Sequence, residues 1–77
     1  MRDSIAEFIG RRISAQRRIA RFSQRDLGAM AKISATGICL IELGRVLPPL
    51  DTLFRIADAL GVTPMELIPR RQQVKGK

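Results

Sequence analysis

An all-α domain of five short helices is what this sequence predicts, and three observations predict it. Helix-opening patterns recur along the chain: Ser4 with Glu7, Ser23 with Asp26 and Thr63 with Glu66 each place an acidic residue three positions after a hydroxyl, and Ser34 precedes a fourth helical run. Apolar residues return at spacings of three and four, the period of a helix with one buried face. No alternating run is long enough to propose a strand.

The first helix follows from the Ser4–Glu7 box and from Ile5, Phe8, Ile9 and Ile13, and is expected over residues 5–18. Ser23 and Asp26 open a second helix with Leu27, Met30 and Ala31 on its inner face. Only two turns fit before Lys32-Ile33-Ser34, so this helix must pack on its neighbours to persist. Ser34 caps a third helix over residues 35–43, with Ile38 and Ile41 on the buried stripe and Gly44 where a left-handed residue costs little. After a loop over residues 45–49, Leu50, Leu53, Phe54, Ile56, Ala57 and Leu60 mark a fourth helix that ends at Gly61. Thr63-Pro64-Met65-Glu66 opens a fifth of one to two turns, with Pro at the first helical position, and Pro69 stops it. The 77 residues thus make one domain, residues 1–69, followed by a basic tail, residues 70–77, whose lack of apolar periodicity predicts flexibility. A core this small gains from a dimer interface.

Composition excludes whole classes of function. Apolar residues make up 45% of the chain and charged residues 27%, which fits a soluble globular domain. There is no His and one Cys, Cys39, so no Cys/His zinc site, no Ser-His-Asp or Cys-His pair and no intrachain disulfide can form. No metal, cofactor or enzymatic activity is expected. The lone thiol, the absence of a hydrophobic leader and the absence of a long apolar run lead to the expectation of a cytoplasmic protein with no membrane partner. The arginines of the first helical segment do not make it a membrane-surface helix, because its apolar residues are needed for the core.

A net charge of +7 and an isoelectric point near 11.4 point to a polyanionic partner, nucleic acid or an acidic surface, against the plainer reading of a solvated face. The excess sits at the ends. Residues 1–25 carry seven Arg and two acids, residues 26–69 carry three bases and five acids, and residues 70–77 add four bases. Eleven of the fourteen cations are Arg, whose planar fork matches phosphate oxygens.

Residues 23–44 form a capped two-turn helix, a three-residue turn and a second capped helix, the layout of a helix-turn-helix. A helix about 10–12 Å across fits a DNA major groove about 12 Å wide, and the amino end of the first helix of such a pair directs backbone amides at a phosphate. Positions 36, 40 and 43 fall on one outward stripe of the later helix and 35 and 39 on the adjoining one, opposite Ile38 and Ile41.

The segment from Ile9 to Ile68 resembles the lambda-repressor-like helix-turn-helix domains of phage repressors and of bacterial regulators of the xenobiotic-response-element type. The residues that carry the resemblance are Phe22-Ser23-Gln24-Arg25-Asp26-Leu27-Gly28 with Ala31, Ile33-Ser34, Ile38 with Ile41-Glu42 and Gly44, and then Pro48, Leu50, Thr52-Leu53, Ala57 and Leu60-Gly61-Val62. The resemblance implies a sequence-preferring, double-stranded-DNA-binding transcriptional regulator, a repressor or small controller, acting as a homodimer with the third helix in the major groove. It implies an ion pair between Arg17 and Glu42, which would either orient Arg17 near a phosphate or serve as a staple alone. Gln24 becomes a candidate phosphate contact or a surface cap residue, Arg25 a phosphate contact or a solvated charge, and Arg45 a phosphate contact from the loop. Ser34, Ala35, Thr36 and Leu40 lie where the family reads base edges. Dimer contacts are expected from residues 62–69, with Leu67 and Ile68 as anchors and Val62 and Met65 as further candidates. The basic tail either reaches phosphates or does not.

The third helix departs from the family pattern. Ala35, Thr36, Gly37, Cys39, Leu40 and Leu43 offer no bidentate donor for guanine or adenine, so discrimination would rest on Thr36, on contacts to thymine methyl groups, on water or on DNA shape. The alternative is a protein-interaction module, such as an antitoxin-like partner, that uses this apolar stripe against another protein. Cys39 has no basic neighbour within four residues, which favours a small filler over a redox switch.

Overall fold

The computed structural model of the chain describes residues 4–70. It contains α1 (Ile5–Ile19), α2 (Gln24–Ala31), α3 (Ala35–Glu42) and α4 (Leu50–Leu60), followed by one 3-10 turn at Pro64–Leu67. Among the described residues there is no strand. The described residues therefore hold four α-helices, and the expected fifth is corrected to a single tight turn. Its cause is local. Ile68 precedes Pro69, and the proline ring drives the preceding residue out of the helical region, leaving Ile68 extended at φ −103°, ψ 140°. The expected flexible tail, beyond Arg70, lies outside the described residues.

Hydroxyl caps set where the first three helices begin. Ser4 Oγ accepts from the Glu7 amide at 3.1 Å while the Glu7 carboxylate accepts from the Ser4 amide at 3.0 Å. Ser23 and Asp26 repeat the exchange at 2.9 Å in both directions. Ser34 Oγ accepts from the Gly37 amide at 3.0 Å. Each bond satisfies an amide that the first turn of a helix would leave unpaired. Two arginines tie helix ends to distant elements: Arg55 Nε donates to the Ala31 carbonyl at the end of α2, and Arg12 Nε donates to the Glu66 carbonyl in the 3-10 turn.

The core gathers one stripe from each element: Ile9 and Ile13, Leu27 and Ala31, Ile38 and Ile41, Leu53, Ile56 and Ala57, and finally Leu67. Three residues expected inside are outside. Leu50 and Phe54 are 67% and 51% exposed, and Met30 is 45% exposed. Helical rotation explains α4, since Leu53, Ile56, Ala57 and the half-buried Leu60 already fill a stripe, and Leu50 and Phe54 lie one turn apart to its side. Ile5 also projects into solvent.

Two glycines permit the close approaches on which this packing depends. A methyl group at Gly10 would collide with the Ile41 carbonyl and stand 2.6 Å from the Glu42 carbonyl oxygen, so α1 lies directly on the carboxyl end of α3. Gly28 has the Ile33 carbonyl where its side chain would be, and the Ile33 amide donates back to the Gly28 carbonyl at 2.8 Å. The turn between α2 and α3 folds against α2 because nothing projects there. Gly10→Ala is expected to separate α1 from α3 and cost about 1–3 kcal/mol, measured by urea or thermal unfolding. Wild-type stability in this variant would contradict the contact.

Candidate nucleic-acid interface

The α2–turn–α3 unit is closed by backbone geometry that the sequence only partly announces. Lys32 ends α2 in the left-handed region at φ 62°, a conformation that costs a side-chain-bearing residue about 1–2 kcal/mol, and its amide donates to the Gly28 carbonyl. The chain then reverses through Ile33 and enters α3 at the Ser34 cap. Ile38 and Ile41 point inward, at 0% and 5% exposure. Thr36, Leu40 and Leu43 face solvent, and Ala35 and Cys39 are half-buried.

One carboxylate joins three helices. Arg17 Nε donates to Glu42 Oε2 at 2.6 Å and Arg17 Nη2 to Glu42 Oε1 at 3.0 Å, a bidentate pair between α1 and the last residue of α3. Gln24 Nε2, at the start of α2, donates to the same Oε1 at 3.0 Å, and Arg17 Nη1 donates to the Phe22 carbonyl at 2.8 Å. Only 13% of the Arg17 side chain and 6% of the Glu42 side chain meet solvent. Burial pushes the Glu42 carboxyl up, but hydrogen bonds from Arg17, Gln24 and Ser14 together with the Arg17 charge outweigh it and hold Glu42 below the usual carboxylate range. The Glu42 hydrogen bond likewise raises the Arg17 guanidinium against the opposing effect of burial.

The candidate residues fall into three places. Arg17, Gln24 and Glu42 meet at the helix junction. Three of the five Arg17 N–H groups are engaged there, as is one hydrogen of the Gln24 amide. Ser34, Thr36 and Leu40 lie exposed along α3 beside the half-buried Ala35, and the Ser34 oxygen is occupied as a cap. Arg25 and Arg45 are exposed, Arg25 in the first turn of α2 and Arg45 just after α3, where its amide donates to the Leu40 carbonyl at 3.0 Å.

The dimer candidates divide. Met65 is 73% exposed, and Val62 and Ile68 are half-buried against the core. Leu67 is 0% exposed and is corrected from interface anchor to core residue, because the 3-10 turn packs between α1 and α4 and rotates this side chain inward. Sequence reasoning missed the Phe22 carbonyl and Ser14 as partners of the junction, since neither role has a residue-type signature. It also missed a shallow apolar depression of about 500 Å³ lined by Leu50, Asp51 and Phe54, which the offset of positions 50 and 54 from the 53/56/57/60 stripe would have revealed. Among the described residues, no helix is long and apolar enough to cross a membrane, and no group of three His, Cys, Asp or Glu could hold a metal ion.

Removing one partner of the buried pair strands the other. Glu42→Ala is expected to cost about 3 kcal/mol, a fall in melting temperature on the order of 10–20 °C, while Arg17→Met combined with Glu42→Leu recovers part of that loss. Lowered folded-state pKa values at Glu42 and at Asp26, the latter held down by the Ser23 amide and then its hydroxyl, mean that the unfolded chain binds more protons in acid. The stabilisation is therefore complete above the ordinary glutamate value of 4.5 and is lost as pH falls below it. Thermal melts from pH 7 to pH 3 should show a drop that is much smaller in the double variant. An equal drop in both would contradict the role of the pair.

A helix-turn-helix family model matches residues 13–67. The restriction-modification controller protein C.AhdI from Aeromonas hydrophila superposes with a TM-score of 0.80 at 24% identity, covering 82% of this chain and 96% of that one. The P22 c2 repressor protein, in complex with synthetic operator 9T, superposes with a TM-score of 0.76 at 30% identity, covering 79% and 92%. The clp gene regulator ClgR from Corynebacterium glutamicum superposes at 0.82 with 20% identity, covering 84% and 69%, a likeness of fold. The sequence matches none of the curated proteins. The family model spans most of the chain, from the middle of α1 through the 3-10 turn, and with the repressor match it shows that the chain belongs to the lambda-repressor-like helix-turn-helix family.

Proposed function

We propose that this protein binds double-stranded DNA as a homodimer and regulates transcription, as a repressor or small controller, by placing α3 in the major groove. The observation that carries the reading is the seating of α3. Its inner face is spent on the core, its carboxyl end is fixed by Glu42 to two other helices, and its outward stripe of Thr36, Leu40 and Leu43 remains exposed, as do Arg25 in the first turn of α2 and Arg45 just after α3. A basic chain that holds one narrow helix outward has the shape and charge to enter a groove lined by phosphates. The match to a repressor solved on its operator supports the same reading.

In this reading Gln24, Arg25 and Arg45 contact phosphates, Arg17 acts chiefly by holding Gln24 and α3 in register, and Ser34, Ala35, Thr36 and Leu40 face base edges. Met65, with Val62 and Ile68, supplies the dimer contact, and the two-fold sets half-sites about 34 Å apart. The protein is a binder rather than an enzyme and works in the cytoplasm, where its DNA lies. The exposure of Leu43 and Leu47, 58% and 56%, favours one second reading, a protein-interaction module that packs this apolar edge on a partner.

Anisotropy titrations of duplexes selected from a random pool separate the two. Arg25 and Arg45 from both protomers make four cationic phosphate contacts, so affinity should fall with a log–log salt slope of about −3.6, roughly 10²-fold between ~50 and ~200 mM salt. Arg25→Gln with Arg45→Gln should flatten that slope. Failure to prefer any duplex at any salt would contradict the DNA reading and favour the protein partner.

A further inference from the structure

The side chains that α3 presents are as informative as its position. Between Ser34 and Arg45 the polar side chains are those of Ser34, Thr36 and Glu42, beside the thiol of Cys39. Ser34 Oγ is engaged with the Gly37 amide. Glu42 is 6% exposed and bound by Arg17 and Gln24. Thr36 therefore carries the one exposed and uncommitted hydroxyl on the outward face of α3, and the rest of that face is the hydrocarbon of Ala35, Leu40 and Leu43 with the half-buried Cys39 thiol beside it.

Such a face cannot make the two-donor or donor–acceptor pairs that read guanine O6/N7 or adenine N6/N7. Pressed against those edges it would strip water from polar atoms and return nothing, which disfavours them. One feature of the major groove rewards hydrocarbon: the methyl group on C5 of a pyrimidine. Charge complementarity favours DNA as the occupant, because Arg25 and Arg45 stand exposed at the two ends of the α2–α3 unit in a chain of net charge +7.

Resting on the DNA-binding reading above, we propose that α3 selects its site by apolar contact with pyrimidine C5-methyl groups, with Leu40 and the methyl groups of Thr36 and Ala35 as the reading surface. Thymine carries that methyl, and 5-methylcytosine carries the same group on a G·C pair. The chemistry is shared, so methylation of cytosine in the site would act as thymine does.

The test uses the full chain and duplexes selected from a random pool. Thymines are replaced one at a time by uracil, which keeps every hydrogen-bonding group and removes only the methyl. Each methyl against the reading surface should be worth roughly fourfold in affinity, with at least two such positions per half-site. Leu40→Ala, at a site 37% exposed, should leave the melting temperature near wild type and abolish the uracil penalty at the position it touches. At those positions, exchanging T·A for C·G should weaken binding. Recovery on placing 5-methylcytosine there is expected, and no recovery would contradict the equivalence of the two methyl groups. If uracil duplexes bind as tightly as the selected ones, discrimination runs through shape or water and the proposal is overturned with DNA binding intact. If no duplex binds preferentially, the proposal falls together with the reading it rests on.

Discussion

Three helices converge on the Glu42 carboxylate, and the orientation of α3 depends on that convergence. Burying a carboxylate to 6% exposure is costly unless its oxygens are filled, and here a bidentate guanidinium from α1 and an amide from α2 fill them. The geometry is demanding because an arginine fork and a carboxylate bond well in few relative positions. A helix of eight residues has little stability of its own, so its direction is set by what it touches. Ile38 and Ile41 hold α3 to the core, and Glu42 fixes which way it points.

Gly10, Ile13 and Arg17 lie on one stripe of α1 and serve the same end by different physics. Gly10 lets the α3 carbonyls approach the α1 backbone, Ile13 fills the space beneath, and Arg17 supplies the charge-assisted bonds. Packing and electrostatics agree on a single arrangement, which leaves positions 36, 40 and 43 outside. The same arrangement removes polar groups from the outward face: Ser34 is drawn into capping and Glu42 into the junction. What α3 can recognise is thus shaped by what its ends must do to hold it.

Much of this was legible in the sequence because caps and helical periods are local. Ser4, Ser23 and Ser34 mark the starts of α1, α2 and α3, and the 53/56/57/60 spacing marks the inner face of α4. What could not be read depends on tertiary contact or on backbone strain. Leu50, Phe54 and Met30 are apolar at nearly helical spacing, yet the core is filled without them. Thr63, Pro64 and Glu66 resemble the opening of an α-helix and Pro69 is legible as its stop, but the 3-10 geometry of the turn and the inward placement of Leu67 are not. Lys32 gives no sign in its residue type of a left-handed backbone. At the junction, Arg17 and Glu42 were marked by family resemblance, whereas the Phe22 carbonyl and Ser14 were visible only in three dimensions.

The proposal that the junction holds α3 outward as a groove reader is tested most directly by amide-resolved NMR of the full chain titrated with a selected duplex. Perturbation is expected at Gln24, Arg25, residues 34–40 and Arg45, with Leu53 and Ile56 undisturbed. A titration in which residues 34–40 stay unchanged while the exposed face around Leu50 and Phe54 responds would contradict it.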